Sequence, residues 1–452
     1  MKRVLIITYY WPPSGGSGVQ RWLKFTKYLR DFGWEPVIYT PANPELMAVD
    51  NSLESEIPEG VEVVKRDILE PYSIYRALTG KKKGDIKPGF INTGGDLSLL
   101  IRSNLFIPDP KCFWVNPSIR FLKKWLKKNP VDAIVSTGPP HSMHLIAKGV
   151  AKSLKIPWIA DFRDPWTKMF TFKFMKYTAP AKALHSLLER QVVRGADKVL
   201  TVTSTIAEEL QELRAGASRA TTKDRNIRKD GVSAKDVIDS WLEVPVITNG
   251  YDPSDFPQTE AELEKEFSIT YTGLFVKSQN PKLLWDILSD WVNHDPDFAS
   301  VLKIRLVGHT DGTILQSIEE AGLNPYLERV DYMTHEKVTQ LQRSSQLLFL
   351  SVGMEPESKG ILTGKFFEYL AARRPILGFG LKGGDMDIAL GESEGGTMFD
   401  YEDERGCRRW LEDRYAEYLT GSVPPTDGNI EKYSRRELTR RLALLLDEIT
   451  RK

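Results

Sequence analysis

The fold can be deduced outward from one stretch, Gly360-Ile-Leu-Thr-Gly-Lys-Phe-Phe-Glu-Tyr-Leu-Ala-Ala-Arg-Arg-Pro-Ile-Leu377. The apolar run Leu347–Ser351 before it is typical of a buried parallel strand, and the stretch itself predicts a helix that begins near Thr363 or Gly364. The first N–H groups of a helix have no partners inside the helix, and together with the helix dipole they attract anions. Strand, loop and helix start therefore predict an anion site.

Two charged residues of this helix indicate that the anion belongs to a nucleotide. Lys365 would add a positive charge beside the loop, and Glu368, one turn later, could accept hydrogen bonds from both hydroxyls of a ribose. With Thr363 and Gly364 they form a candidate nucleotide-sugar site. The alternative is an ordinary amphipathic helix whose Lys365–Glu368 pair is a solvated surface contact. Local chemistry leaves both interpretations open.

The same stretch resembles the nucleotide-sugar motif of GT-B glycosyltransferases, in particular glycosyltransferase family 4. The resemblance implies that Glu368 holds the donor ribose and that the preceding loop holds the diphosphate. The family often has another Glu eight positions before the ribose-binding one, where this chain has Gly360. Glu355 and Glu357 lie nearby but out of register, so the acid that holds the transferred sugar is not identified.

Length and composition are those of a two-domain globular protein. The 452 residues exceed what one core usually holds, and 41% are hydrophobic and 27% charged. The formal net charge of +1 and the two distant cysteines predict neither nucleic-acid binding nor a disulfide or metal site. The short apolar run at the N-terminus predicts no signal peptide, and no segment has transmembrane length. We therefore expect a cytoplasmic protein that contacts a membrane only peripherally, at the inner face of the cytoplasmic membrane.

The N-terminal half begins as a doubly wound sheet does. The apolar strand Val4–Thr8 is followed by a glycine-rich loop with Gly16 and Gly18, and then by a helix from Val19. The glycines would let a ligand approach the backbone, although a plain flexible turn is the alternative. Neither the glycine spacing nor the residues after the second strand fit a dinucleotide fingerprint. The resemblance places this loop near the acceptor and the donor phosphate.

Two further strands of this half end in polar side chains. One strand, Asp132–Ser136, leads to His141, and the next leads to Asp161, Arg163 and Asp164. Open α/β sheets bind ligands at such strand ends. Three charges there are costly unless they pair or meet a ligand, so we expect one Asp–Arg pair and one functional acid. The Asp-Phe-Arg-Asp-Pro-Trp string resembles bacterial family 4 enzymes of cell-surface polysaccharides, and the resemblance places His141 beside the transferred sugar. A lone histidine satisfied within its loop is the alternative.

Two other segments yield candidates. The strand Ser268–Gly273 restarts the strand–glycine–helix pattern, and Lys277 or Lys282 after Gly273 could meet the donor diphosphate, as basic residues do in the family. A surface lysine is the alternative for each. Lysines alternate with aromatic residues and methionines from Lys168 to Tyr177, which favours a membrane-proximal acceptor loop, with simple core packing as the alternative.

These observations predict an α/β protein of the GT-B class, with two Rossmann-like, doubly wound domains facing across a cleft. Residues 1–255 form the acceptor-side domain, with an insertion at about 213–240. Residues 265–428 are expected to form the nucleotide-sugar domain, and the resemblance to GT-B enzymes implies that residues 429–452 form a helix that crosses back to the first domain.

By resemblance, the expected reaction is metal-independent transfer of a hexosyl group, with retention, from a UDP-sugar or GDP-sugar to a hydroxyl of a glycan or lipid-linked acceptor. No other cofactor is expected. The catalytic candidates are His141, Asp161, Arg163 and Asp164. The donor-site candidates are Gly16, Gly18, Gly273, Lys277, Thr363, Gly364, Lys365 and Glu368. A sugar-nucleotide epimerase and a non-catalytic nucleotide-sugar-binding protein remain as alternatives.

Overall fold

The computed structural model describes residues 1–46, 48–70, 96–216, 241–256, 261–331 and 333–451. The chain forms two compact units, Met1–Thr248 with Arg436–Lys452, and Asn249–Arg435. Most of the predicted insertion at 213–240 lies outside the described residues. No helix in the described ranges is both long and apolar enough to cross a membrane.

One parallel sheet organises the first unit. Its strands, in spatial order β3-β2-β1-β4-β5-β6, pair in parallel throughout, and this is the doubly wound arrangement that the sequence predicts. The strands are β1 Lys2–Ile7, β2 Trp34–Pro41, β3 Glu62–Arg66, β4 Ala133–Gly138, β5 Trp158–Phe162 and β6 Lys198–Thr201.

A second parallel sheet repeats this topology in the other unit. Its spatial order is β12-β11-β10-β7-β8-β9, so β7 and β10 lie at the point where the order reverses, as β1 and β4 do in the first sheet. Such sheets bind ligands outside the carboxyl ends of the strands at that point. The strands are β7 Phe267–Thr272, β8 Leu302–Val307, β9 Leu327–Val330, β10 Leu347–Ser351, β11 Ile376–Phe379 and β12 Gly396–Phe399.

Helices connect the strands and cover both faces of each sheet. In chain order they are α1 Ser17–Leu29, α2 Asp96–Leu105, α3 Cys112–Trp125, α4 Ser142–Leu154, α5 Phe170–Phe174, α6 Ala179–Gly195, α7 Ser204–Ala215, α8 Lys282–His294, α9 Pro296–Val301, α10 Gly312–Glu320, α11 His335–Ser344, α12 Gly364–Ala372, α13 Asp385–Ser393, α14 Glu404–Leu419 and α15 Arg435–Thr450.

The strands are buried on both faces, which explains why they are apolar runs rather than alternating sequences. In β1, Leu5 packs into the core on one face and Ile6 into the core on the other. The second of these cores also contains Leu438, Leu442 and Leu446, which recur every four residues along α15. That spacing places them on one helical face, so the last helix of the chain completes the core of the first unit.

The unit boundaries differ from the predicted ones by several residues. Tyr251 and Phe256 pack into the core of the second unit together with Phe366 and Phe367 of α12. Tyr433 belongs to the same core, and its carbonyl accepts a 3.2 Å hydrogen bond from the backbone N–H of Tyr251. The chain therefore enters and leaves the second unit beside α12, where these aromatic side chains are buried together.

Candidate functional site

Lys365 lies at the reversal point of the second sheet, at the start of α12. Its Nζ donates hydrogen bonds to the Tyr271 hydroxyl at 2.6 Å and to the Leu274 carbonyl at 3.0 Å. The ammonium also lies 4.1 Å from the centre of the Tyr271 ring. Burial lowers the pKa of Lys365 to about 8. The lysine is therefore a held, partly desolvated charge and not a freely solvated one.

The N-terminus of α12 is open to an anion. Thr363 occupies the cap position but makes no side-chain cap hydrogen bond, and the first turn contains no acidic residue. Its Oγ1 is buried and has no partner among the described residues. A Cβ added to Gly364 would meet nothing within 4 Å. The first N–H groups of the helix thus have neither a cap nor a nearby carboxylate, as an anion site requires.

Glu368 follows one turn later, and its surroundings differ from a solvated pair with Lys365. Gln342 Nε2 approaches Glu368 Oε2 at 3.4 Å and donates a 3.0 Å hydrogen bond to Thr272 Oγ1. Burial raises the pKa of Glu368, and the nearby His335 opposes that effect. Because Lys365 bonds to Tyr271 and Leu274 instead, the carboxylate retains acceptor capacity for a diol.

Two glycines make room for the lysine. Gly273 and Gly308 follow neighbouring strands and have φ values of +96° and +98°. A Cβ on Gly308 would lie 3.0 Å from the Gly273 carbonyl oxygen, and a Cβ on Gly273 would lie 2.8 Å from Lys365 Cε. Both positions require glycine because of the backbone conformation and the close approach.

Neither Lys277 nor Lys282 contacts the group formed by Lys365, Tyr271 and Gly273. Lys282 forms an exposed ion pair with Asp286 at 2.7 Å, one turn along α8. Lys277 is exposed in the turn Lys277–Gln279, and its ammonium makes no hydrogen bond to a described residue. A diphosphate contact by Lys277 stays a prediction.

The loop before α12 carries the acids nearest to the position of the missing family Glu. Gly360 ends a short 3-10 helix that begins at Pro356. The carboxylate of Glu355 lies against Gly353, since a Cβ there would be 2.4 Å from Glu355 Oε2 and 3.1 Å from Ser358 Oγ. Glu355 is thus an exposed acid at the carboxyl end of β10.

In the first unit, Asp161 is fully buried and fully hydrogen-bonded. Arg21 binds it with both Nε and a terminal nitrogen, at 3.1 and 3.0 Å. Trp22 Nε1 and Thr137 Oγ1 donate to the same carboxylate at 2.7 and 2.9 Å. All these side chains are buried. Asp161 is therefore saturated by structural donors, and we reassign it from the acceptor side to the framework of the unit.

Arg163 has no carboxylate partner of this kind, contrary to the expected pairing within the Asp-Phe-Arg-Asp string. Its NH1 donates to the Gly18 carbonyl at 2.8 Å and its NH2 to the Pro139 carbonyl, while Nε is buried without a partner among the described residues. Burial lowers the pKa of Arg163, and Asp164 opposes that effect. Burial raises the pKa of Asp164, whose carboxylate accepts no hydrogen bond from the described residues. Asp164 is the remaining candidate acid.

The glycines of the first loop have different roles. Gly16 occupies the N-cap position of α1 with a φ of +87° and provides no side-chain cap, and a Cβ there would meet nothing within 4 Å. A Cβ on Gly18 would lie 3.0 Å from the Tyr10 ring and 3.4 Å from an Arg163 nitrogen. Gly16 thus leaves open space at an uncapped helix start, whereas Gly18 accommodates neighbouring side chains.

His141 lies after β4, at the reversal point of the first sheet. Its ring stacks on Trp166, with centres 4.4 Å apart and planes 1° apart. The residue is 7% exposed, and its Nδ1 is buried without a partner among the described residues. Burial lowers the pKa of His141 well below its usual value, so the ring is neutral at neutral pH.

Three side chains that hold these groups were not singled out from the sequence. Arg21, Tyr271 and Gln342 bind Asp161, Lys365 and Glu368 respectively. Buried arginine and glutamine are uncommon, so their positions inside α1 and α11 gave no signal. Tyr271, the second-last residue of β7, could have been noticed as a polar aromatic next to a glycine turn.

Among the described residues, no three His, Cys, Asp or Glu side chains are grouped to hold a metal ion.

Comparison with known proteins bears on the family resemblance and the fold. Residues 15–223 match a family model described as "Glycosyl transferase 4-like domain". This match confirms the predicted resemblance to glycosyltransferase family 4 within the first unit. No curated protein sequence matches the chain.

Solved structures extend the comparison to both units. The lipopolysaccharide outer core galactosyltransferase WaaB is 12% identical with a TM-score of 0.54, over 99% of each chain. A mutant of S. aureus TarM, solved with fondaparinux, α-GlcNAc-glycerol and UDP, is 11% identical with a TM-score of 0.54, over 99% of this chain and 100% of that one. A UDP-N-acetylglucosamine 2-epimerase, so described provisionally, from Listeria monocytogenes is 8% identical with a TM-score of 0.50, over 99% and 96%. The chain has the GT-B fold with two Rossmann-like domains.

Proposed function

We propose that the protein is a retaining, metal-independent glycosyltransferase that moves a hexosyl group from a nucleotide diphosphate sugar to a hydroxyl acceptor. The observation that carries the proposal is the group at the start of α12. Three groups lie there within one and a half helical turns. They are the uncapped N-terminus of the helix, the ammonium of Lys365 held by Tyr271, and the carboxylate of Glu368, which can still accept hydrogen bonds.

The diphosphate and the ribose of a nucleotide diphosphate sugar each find a suitable group there. The diphosphate binds the helix N-terminus and Lys365, and the ribose diol binds Glu368. In the transfer step, the bond between the sugar C1 and the diphosphate oxygen breaks and a bond from C1 to the acceptor oxygen forms. The acceptor proton passes to the leaving diphosphate. Fixed positive groups stabilise the leaving charge in place of a cation.

The first unit supplies the groups for the sugar and the acceptor. His141 is a neutral imidazole whose Nδ1 has no partner among the described residues, and we assign this ring to a hydroxyl of the sugar. Arg163 and Asp164 lie at the carboxyl ends of the sheet beside it, where the acceptor binds.

Relatives of the same fold suggest the substrate class. WaaB is described as a lipopolysaccharide galactosyltransferase, and TarM was solved with UDP. We therefore propose a UDP-sugar as the first donor to test and a glycan or lipid-linked hydroxyl as the acceptor, within cell-surface polysaccharide or glycolipid synthesis.

A lipid-linked acceptor would require contact with a membrane surface. The segment before α6 and its outer face expose Phe174, Leu184 and Leu187, at 54%, 41% and 45%. Lys173, Lys176 and Lys182 accompany them in the sequence. Apolar side chains among lysines suit the boundary of an anionic bilayer, and we propose this surface as the peripheral contact.

The test is a thermal-shift panel of UDP, GDP, ADP and their sugars in the presence of EDTA. A ligand that binds only the folded state stabilises it by about 2.7 kcal/mol at a hundredfold excess over Kd. We expect one nucleotide family to raise the Tm of the wild type and of Glu320→Ala, a control at an exposed glutamate of α10, but not of Glu368→Ala. Loss of the shift with EDTA in the wild type would contradict metal independence.

The transfer assay separates the remaining alternatives. With the donor that binds, the proposed enzyme forms a glycosylated acceptor whose anomeric configuration matches that of the donor. Release of an epimerised sugar without acceptor would identify an epimerase, an activity attributed to one protein of this fold. Binding without any turnover would identify a nucleotide-sugar-binding protein. If no nucleotide shifts the Tm at millimolar concentration, the donor site is wrong.

A further inference from the structure

Two buried polar side chains of α6 contact Trp166 and Thr167, which follow the Asp-Phe-Arg-Asp string. His185 and Glu189 are four positions apart, so they share one face of this helix. The exposed fractions of Trp166, His185 and Glu189 are 3%, 1% and 4%. Glutamate is almost never buried so completely unless it is paired. This face of α6 is therefore built to bind polar groups of the segment that it covers.

His185 accepts a hydrogen bond from the indole of Trp166. The indole Nε1 lies 3.1 Å from His185 Nδ1, and an indole N–H can only donate, so Nδ1 is the acceptor. The proton of the neutral ring is then on Nε2, which is buried without a hydrogen-bond partner among the described residues. Burial lowers the pKa of His185 to about 4, so at neutral pH the ring keeps the lone pair that this bond requires. The rings of Phe172 and Tyr177 meet the imidazole edge to face, with centres 5.2 and 4.7 Å away, and enclose it.

Glu189 holds the backbone beside the indole. The N–H of Thr167 donates to Glu189 Oε1 at 3.2 Å, and the hydroxyl of Thr167 donates to Oε2 at 2.5 Å. Burial raises the pKa of Glu189, and these hydrogen bonds oppose that effect. The indole of Trp166 and the residue that follows it are thus both bound by one helix.

The orientation of the indole determines the surface on which His141 lies. The two rings are stacked with centres 4.4 Å apart and planes 1° apart. Stacking alone allows a ring to slide or turn within its plane, whereas a hydrogen bond at the ring edge is directional. Without His185, the buried indole N–H would lose its acceptor, which favours a rotated indole.

We propose that His185 is a positioning residue that, through the hydrogen bond from Trp166, holds the plane on which His141 stacks. The proposal rests on the proposed function, in which His141 contacts the donor sugar. His185 acts through the indole and not on the sugar, so its removal should disturb the sugar-contacting ring and leave the diphosphate site in the second unit unchanged.

Histidine ¹⁵N spectra test these contacts in the free protein, because the chain has only six histidines. In two-bond ¹H–¹⁵N spectra of the wild type, we expect His185 to be the Nε2–H form. His185→Leu removes the acceptor and should shift the ring signals of His141, since the ring current of Trp166 depends on the relative orientation of the two rings. His185→Asn should preserve those signals, because Asn Oδ1 can accept from the indole where Nδ1 does. His294, 77% exposed in its side chain on α8, is the internal reference.

A transfer assay measures the consequence for the donor. We expect kcat/KM for the donor to fall about 5- to 10-fold in His185→Leu, the loss of one hydrogen bond, and less than about 3-fold in His185→Asn. The Kd of the nucleoside diphosphate, which lacks the sugar, should be the same in both variants as in the wild type. Trp166→Phe keeps an aromatic ring but has no N–H, so His185→Leu should have no further effect in that background.

Three results would overturn the proposal. An Nδ1 proton on His185 in the wild type would exclude the hydrogen bond, and this measurement requires no variant to fold. Unchanged His141 signals in folded His185→Leu would show that the stacked rings do not depend on His185. Additive effects of His185→Leu and Trp166→Phe would show that His185 acts elsewhere. If no donor is turned over, the proposed function fails, while the spectra still decide whether His185 positions His141.

Discussion

Lys365 donates a 2.6 Å hydrogen bond to the hydroxyl of Tyr271, which joins the start of α12 to the end of the neighbouring strand β7. Tyr271 donates in turn to the Leu274 carbonyl at 2.8 Å. The lysine side chain therefore lies across the Gly273 turn, fixed before any ligand arrives. Such a held charge loses less conformational freedom on binding an anion than a flexible lysine would.

The pH dependence of donor binding should report the titration of this lysine. The pKa of Lys365 is lowered to about 8 by burial, so the ammonium is charged at pH 7 and becomes neutral above pH 8. The charged form attracts the diphosphate, so affinity should be highest below pH 8 and should fall by roughly tenfold as pH rises to 9.5. Isothermal titration calorimetry with the nucleoside diphosphate at several pH values measures this decline.

Lys365→Arg is the control for the assignment. Arginine keeps its charge throughout this range, so the decline above pH 8 should disappear even if the overall affinity changes. A decline of the same size in the arginine variant would show that another group titrates.

Replacing each aspartate of the Asp-Phe-Arg-Asp string by asparagine should affect the free energy of unfolding strongly at Asp161 and weakly at Asp164. Asp161→Asn removes the charge that compensates Arg21 inside the core, and breaking such a buried pair costs about 3–5 kcal/mol. Asp164→Asn removes a half-buried carboxylate without hydrogen-bonded partners among the described residues, so the free energy of unfolding should change by less than about 1 kcal/mol.

Activity completes this comparison. If Asp164 is the functional acid, Asp164→Asn should lower kcat by about 100-fold or more while urea denaturation remains near that of the wild type. Full activity of Asp164→Asn would remove it from the site. A wild-type unfolding midpoint for Asp161→Asn would show that the Arg21 pair does not stabilise the fold.

The sequence predicted correctly those strands and helices whose formation depends on residues close together in the chain. The apolar run Leu347–Ser351 and the helix from Gly364 are both present at the predicted positions, because strand and helix patterns depend on neighbouring residues. The doubly wound topology follows from repetition of that unit. Gly16, Gly273 and Gly364 likewise mark turns or helix starts, since their conformational freedom or lack of a side chain is visible in the sequence itself.

Pairings across the sheets could not be predicted in this way. Arg21 and Asp161 are 140 positions apart in the chain and meet only because α1 packs on the sheet beside the end of β5. The expectation that Arg163 would satisfy one aspartate of its own string was wrong for Asp161 for this reason. Gln342, which approaches Glu368 from α11, depends in the same way on packing between helices.

The close approach of two glycine turns should make Gly308 sensitive to substitution. Gly308→Ala places a methyl 3.0 Å from the Gly273 carbonyl oxygen at a φ of +98°, which should lower the free energy of unfolding by about 1–3 kcal/mol. Gly312→Ala, at the start of α10, meets nothing within 4 Å and should be neutral or stabilising by up to about 1 kcal/mol. Urea denaturation of both variants measures the difference, and equal stabilities would mean that the two turns do not approach as described.

The proposed membrane contact can be tested by removing its apolar side chains while keeping its charges. Phe174→Ser, Leu184→Ser and Leu187→Ser together remove three half-exposed hydrophobic groups, each of which contributes about 1 kcal/mol when transferred into a bilayer boundary. We expect the triple variant to bind vesicles with anionic lipid at least tenfold more weakly than the wild type in a sedimentation assay. Leu419→Ser, at a 65% exposed leucine that ends α14 in the other unit, should bind as the wild type does. Equal binding by all three proteins, or binding lost in Leu419→Ser alone, would contradict a contact through the outer face of α6.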